Sequence, residues 1–130
     1  LNSAFQELRG LEYSQRLAHQ ARNVLASDQY PSVARRLFET TLTGGAQAMG
    51  IAPGLAVGNA ADFVTLSAAH PALHGRKDDQ LLDNWIFAAR HSCIDTVWMR
   101  GQKWVSAGQH RNSADITARY LKVVDRIMAA

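Results

Sequence analysis

"NAADFVTLSAAHPALHGR", Asn59 to Arg76, is the stretch on which the reading of this chain turns. It carries Ala61-Asp62 and then Phe63, Val64, Thr65 and Leu66, an aromatic and two β-branched residues before a leucine, of the kind that favour a short buried strand. A strand is expected from about Ala61 to Leu66. The chain then breaks into His-Pro-Ala-Leu-His-Gly. Pro71 suits the first turn of a helix, and Gly75 stops that helix after hardly one turn. His70 and His74, four apart, could share one helical face and bind a divalent metal. A catalytic zinc site takes three protein ligands and a water position. The familiar helical form also carries a glutamate beside the first histidine, where Pro71 stands here. The pair is expected to form a structural corner, and no metal ligand is assigned.

Towards the amino terminus, residues 3 to about 49 read as two helices. Phe5, Leu8 and Leu11, then Leu17, Ala21, Val24 and Leu25, approximate a helical stripe. Glu7, Arg9, Glu12, Arg16 and Arg22 supply a charged outer side. "ASDQYPS" interrupts the pattern, and Pro31 or Ser32 begins a second helix carrying Val33, Leu37, Leu42 and Met49. Gly44-Gly45 lies inside that helix, where each glycine costs on the order of 1 kcal/mol relative to alanine. Close approach of a neighbouring element is the expected compensation. A phosphate-cradling loop is the functional alternative, but "TGGAQAMG" has no preceding strand and no following Lys-Ser/Thr.

Towards the carboxyl terminus, "DDQLLDNWIFAA" reads as a short helix near 78–88, with Asp78 or Asp79 as N-cap and Leu81, Leu82, Trp85 and Ile86 as its apolar face. "CIDTVWMRGQKWVSAGQ" reads as a hairpin, with Arg100-Gly101-Gln102 at or near the turn and Gly108 ending a strand. Ser113 can cap a last helix in which Ile116, Tyr120, Val123, Val124 and Ile127 make one stripe. The pattern is α+β. Its three strands make a thin sheet that needs more partners to cover both faces, so the chain reads as a fragment.

Composition bounds the remaining chemistry. The chain has 130 residues, a net charge of +3 and 47% hydrophobic residues, as one ordinary domain does. No run approaches the ~18 apolar residues of a membrane span, and no signal peptide is visible at "LNSAFQELRG". The single cysteine, Cys93, cannot form an internal disulfide and fits a reducing, cytoplasmic setting. Basic residues are spread out; Arg76-Lys77 runs straight into Asp78-Asp79, and Arg35-Arg36 is the other adjacent pair. Nucleic acid is not expected as a partner. Ser92 beside His91, with Asp95 close by, puts triad types together, yet residues so near in one strand cannot easily converge. No catalytic residue is assigned, and substrate-binding residues stay unknown.

With the whole chain laid out, a family resemblance emerges. "GLAVGNAADFVTL" followed by "VWMRGQKWVSAGQ" resembles the C-terminal end of metal-dependent amidohydrolases. There an Ala-Asp-(Phe/Leu)-Val strand, Ala61 to Val64 here, returns the chain from the catalytic barrel to a small β-sandwich. "ELRGLEYSQRL" (Glu7 to Leu17), "PSVARRLFETTLTGGAQAMG" (Pro31 to Gly50) and "HPALHGRKDDQLLDNWIFA" (His70 to Ala88) are similar to formimidoylglutamate deiminases. Pro53 stands where the superfamily often has glycine. The resemblance implies an α+β fragment. Residues 1–50 are the last helices of a TIM-like (β/α)8 barrel, 51–111 a segment of a composite β-sandwich domain with a short helix near 78–88, and 112–130 a C-terminal helix.

The same resemblance implies a parent enzyme that hydrolyses N-formimidoyl-L-glutamate to N-formyl-L-glutamate and ammonia in histidine degradation. Its divalent metal, zinc, would lower the pKa of a bound water, and its partner would be a second copy in a homodimer. The metal-binding His-x-His pair, the further histidines and the aspartate after the eighth strand are absent from these residues. The chain alone is therefore expected to bind no metal and to need the rest of the barrel. Two other readings stay open. One is part of another amidohydrolase deaminase, of guanine, cytosine or triazine type. The other is a non-catalytic interaction or dimerisation module, which would fold cooperatively alone. The fragment reading instead expects apolar stripes left exposed on the first two helices.

Overall fold

The computed structural model of the chain describes residues 3–89 and 93–129. The chain divides into two compact units, one within Leu1–Asn59 and Ser67–Cys93, the other within Ala60–Leu66 and Ile94–Ala130.

The first unit is helical. Helix α1 runs over Ala4–His19 and α2 over Val33–Met49. Helix α3, Asp79–Asp83, continues directly into a π-helical turn, Asn84–Ala88. Ser32 caps α2 as expected, its Oγ accepting from the Arg35 amide at 3.0 Å. Helix α1 stops earlier than the apolar stripe suggests. Gln20 turns left-handed at φ 48°, and the Ala21 amide donates back to the Arg16 carbonyl at 3.2 Å. Ala21, Val24 and Leu25 therefore lie in an irregular connection, not on the helix.

The core of this unit gathers Phe5 from α1, Val33, Ala34 and Leu37 from α2, Leu73 from the corner, and Trp85, Ile86 and Ala89. Burying each of the larger ones contributes on the order of 1.5–3 kcal/mol. Phe38 meets Trp85 edge-on with centroids 6.3 Å apart. The expected charged outer side of α1 is only partly outside. Glu7 and Arg22 are exposed, but Glu12 is fully buried and Arg9 and Arg16 are half-buried. The close approach expected at Gly44 and Gly45 is not made by the described residues. A Cβ at either position would meet nothing within 4 Å. Leu11, Leu17, Leu42 and Met49 are exposed on the same two helices, as the fragment reading expects.

The corner after the first strand is a tight coil of backbone bonds. The His70 amide donates to the Ser67 carbonyl at 3.1 Å and the Leu73 amide to the His70 carbonyl at 2.9 Å. Leu73 is thereby turned inward, and Gly75 leaves the coil at φ 69°. The excursion closes at its base, where the Ser67 amide donates to the Cys93 carbonyl at 2.8 Å.

The second unit is a four-stranded antiparallel sheet, β1 (Phe63–Leu66), β2 (Ile94–Met99), β3 (Gln102–Ser106) and β4 (Gln109–His110), in that spatial order. Strand β1 is two residues shorter than expected. Ala61 and Asp62 instead hold the β2–β3 turn, their carbonyl and carboxylate accepting from the Gly101 and Arg100 amides at 3.1 and 2.5 Å. The turn is the pair Arg100-Gly101, with φ 49° and 72°, and Gln102 already belongs to β3. Ala107-Gly108 repeats this geometry at 49° and 72° and starts β4, a strand the sequence reading lacks. Positive φ at both central residues matches the twist of paired strands, and glycine in the second place lowers its cost.

Phe63 and Trp98, paired across β1 and β2, stack at 5.6 Å, and the Lys103 ammonium lies 4.9 Å over the Trp98 ring. The Thr65 and Thr96 hydroxyls share a 2.6 Å bond, and Trp98 Nε1 donates to Thr96 Oγ1 at 3.1 Å. Helix α4, Ser113–Met128, follows, with Asn112 and not Ser113 at the cap position. Its expected stripe leaves Ile116, Tyr120, Val123 and Ile127 exposed, with Val124 half-buried.

Two glycine sites should respond oppositely to alanine. Gly44→Ala or Gly45→Ala is expected to stabilise the chain by about 0.5–1 kcal/mol each, because the methyl meets open space in a helix. Gly101→Ala, at φ 72°, should destabilise it by about 1 kcal/mol. Urea unfolding of the three variants beside the parent chain reads both signs.

Candidate functional site

Several of the residues that could carry chemistry are committed to structure. His70 Nδ1 accepts from the Ala72 amide at 3.2 Å, so one ring nitrogen holds the corner. His74, one turn on, is exposed. Among the described residues no group of three or more His, Cys, Asp or Glu side chains could hold a metal ion. These residues do not fit the metal that the resemblance implies.

Of the triad-like cluster, His91 and Ser92 lie outside the described residues. Asp95 sits on β2, where its backbone carbonyl accepts from the Gly108 amide at 2.9 Å. Cys93 is buried, and desolvation pushes its thiol up, away from the nucleophilic thiolate. Gly44-Gly45 continues α2, so its amides face along the helix and form no phosphate cradle.

Polar groups concentrate at the junction of α1, α2 and the α3–π segment. Glu12 has no solvent exposure; its Oε1 accepts from Arg16 Nε at 2.7 Å and from the Val24 amide at 3.0 Å. Arg16 also donates to Asn23 Oδ1 at 3.2 Å, and its guanidinium lies over the rings of Tyr13 and Phe87 at 5.3 and 5.5 Å. Those rings stack on each other at 6.0 Å. One carboxylate thus ties helix, connection and π turn together.

Arg9 does the same at the end of the π turn. Its Nε donates to the Ile86 carbonyl at 2.7 Å and its Nη2 to the Ala89 carbonyl at 2.8 Å, satisfying acceptors that a helix end leaves open. Ser32, while capping α2, donates to Asp83 Oδ1 at 2.8 Å. Arg35 pairs with Asp79 at 2.8 Å.

Two clefts flank these bonds. One, of about 440 Å³, is bordered by Tyr13, Arg16, Asn23, Asn84 and Phe87. The other, of about 540 Å³, is bordered by Lys77, Asp78, Asp79 and Gln80, and Pro31, Ser32 and Asp83 belong to both. Two of their acids are engaged, Asp83 by Ser32 and Asp79 by Arg35, while Asp78 is exposed at the rim. A general acid–base couple needs a carboxyl group within reach of a reacting proton. Glu12, Asp79 and Asp83 at this junction instead bond neighbouring segments of the chain. One usable hint of it is the Glu12/Arg16 spacing of four, but such a pair usually lies on a helix surface.

No protein-family model matches the chain. The chain superposes on a crystal structure of an amidohydrolase from Brucella melitensis with a TM-score of 0.85 and 43% identity, over 98% of this chain and 28% of that one. It is 36% identical over 127 residues to the formimidoylglutamate deiminase of Pseudomonas aeruginosa, covering 97% of this chain and 28% of that protein. The chain belongs to the formimidoylglutamate deiminase family of amidohydrolases. A 5-methylthioadenosine/S-adenosylhomocysteine deaminase of Archaeoglobus fulgidus is also similar, at 31% identity over 72% of this chain and 21% of that protein. The amidohydrolase chain thus spans little more than a quarter of the length of its relatives, consistent with a C-terminal portion.

Two measurements check the junction. Glu12→Ala leaves the Val24 amide and Arg16 without their shared acceptor, and should cost on the order of 2–4 kcal/mol. Hydrogen exchange should report faster exchange at Val24, while the Ser67 amide keeps its protection. Cys93 should react slowly with iodoacetamide in the folded chain and at the rate of a free thiol after unfolding. Because its folded pKa is raised, its contribution to stability is present below the unfolded thiol pKa and is lost as pH rises towards the folded value. A titration of the unfolding midpoint through the alkaline range reads that loss.

Proposed function

We propose that this chain is the carboxy-terminal part of an enzyme that hydrolyses N-formimidoyl-L-glutamate to N-formyl-L-glutamate and ammonia, a step of histidine degradation. The observation that carries the reading is 36% identity to a formimidoylglutamate deiminase across nearly the whole chain.

In this reading residues 1–50 are the last helices of a TIM-like (β/α)8 barrel, residues 51–111 a segment of the β-sandwich domain, and residues 112–130 its C-terminal helix. The exposed Leu11, Leu17, Leu42 and Met49 support an inner face on α1 and α2 that the rest of the barrel covers. The chain supplies structure and no catalytic side chain, a view supported by the commitment of Glu12, Asp79 and Asp83 to internal bonds. The divalent metal, zinc by family resemblance, belongs to the remainder of the enzyme. The complete protein is a cytoplasmic homodimer acting on a small molecule, with neither nucleic acid nor membrane as a partner. No helix among the described residues is long and apolar enough to cross a membrane.

Ammonia release from the full-length gene product that contains this chain, with zinc supplied, tests the proposal. The substrates compared are N-formimidoyl-L-glutamate, 5′-methylthioadenosine, guanine and cytosine. Turnover of the glutamate derivative alone is the expected result, because recognition of its α-carboxylate calls for charge-assisted hydrogen bonds that a nucleobase does not need. Turnover of a nucleoside or nucleobase in its place overturns the substrate and keeps the amidohydrolase chemistry. Ammonia from none of them overturns both.

A further inference from the structure

We draw no further inference here: the strongest candidate, the exposed apolar stripe of α4 formed by Ile116, Tyr120, Val123 and Ile127, carries nothing, because nothing in the structure shows what covers it.

Discussion

A carboxylate withdrawn from water must find donors or cost several kcal/mol, and the helical unit is arranged around one that has found them. Glu12 receives a guanidinium N–H from its own helix and a backbone N–H from twelve residues further on. Charge-assisted bonds of this kind contribute about 1.5–3 kcal/mol each. The second of them fixes where the chain goes after α1, since Val24 cannot both continue a helix and reach back to Glu12. The same guanidinium that neutralises Glu12 lies over Tyr13 and Phe87, so the π turn is held by a group already immobilised. Oε2 of Glu12 has no hydrogen-bond partner among the described residues, which leaves the carboxylate dependent on the two donors at its other oxygen.

Polar stitches carry weight here because the apolar core of this unit is small. Its buried residues are few, and large apolar side chains such as Leu17, Leu55 and Val57 remain outside. A domain of this size ordinarily hides most of its apolar side chains. That shortfall matches a chain spanning little more than a quarter of its relatives' length. Arg9, Ser32 and Arg35 each bond a segment more than forty residues distant, and so specify which surfaces meet where hydrophobic contact alone would be indifferent.

Much of this was legible from residue order, and the failures have physical causes. Ser32 announces α2 because an N-cap is a local event that one hydroxyl satisfies. The hairpin was readable because Arg100-Gly101 sits between alternating apolar runs. Strand β4 was not, since two residues carry no periodicity, and only the second turn, Ala107-Gly108, hints at it. The extent of α1 was overestimated because Val24 and Leu25 fall at helical spacing while a buried acid recruits the Val24 amide elsewhere. Burial of Glu12 lies beyond any local pattern; Val24 reaches it from twelve residues on, while Asn23 and Phe87 meet its partner Arg16. The corner at His70 was legible through Pro71 and Gly75, whose backbone preferences act within a few residues. The family, too, was readable from four short segments.

The bond between Ser67 and Cys93 makes the excursion between β1 and β2 begin and end at nearly one point. For the sheet ladder, everything inside that neck counts as a single closed loop. Closing a flexible loop costs only about 0.6 kcal/mol more for each doubling of its length, whereas a one-residue slip in β1 or β2 would send every side chain to the wrong face. Residues 74–78 lie inside that neck and are exposed, so a residue added or removed there is expected to leave the register of β1 on β2 unchanged.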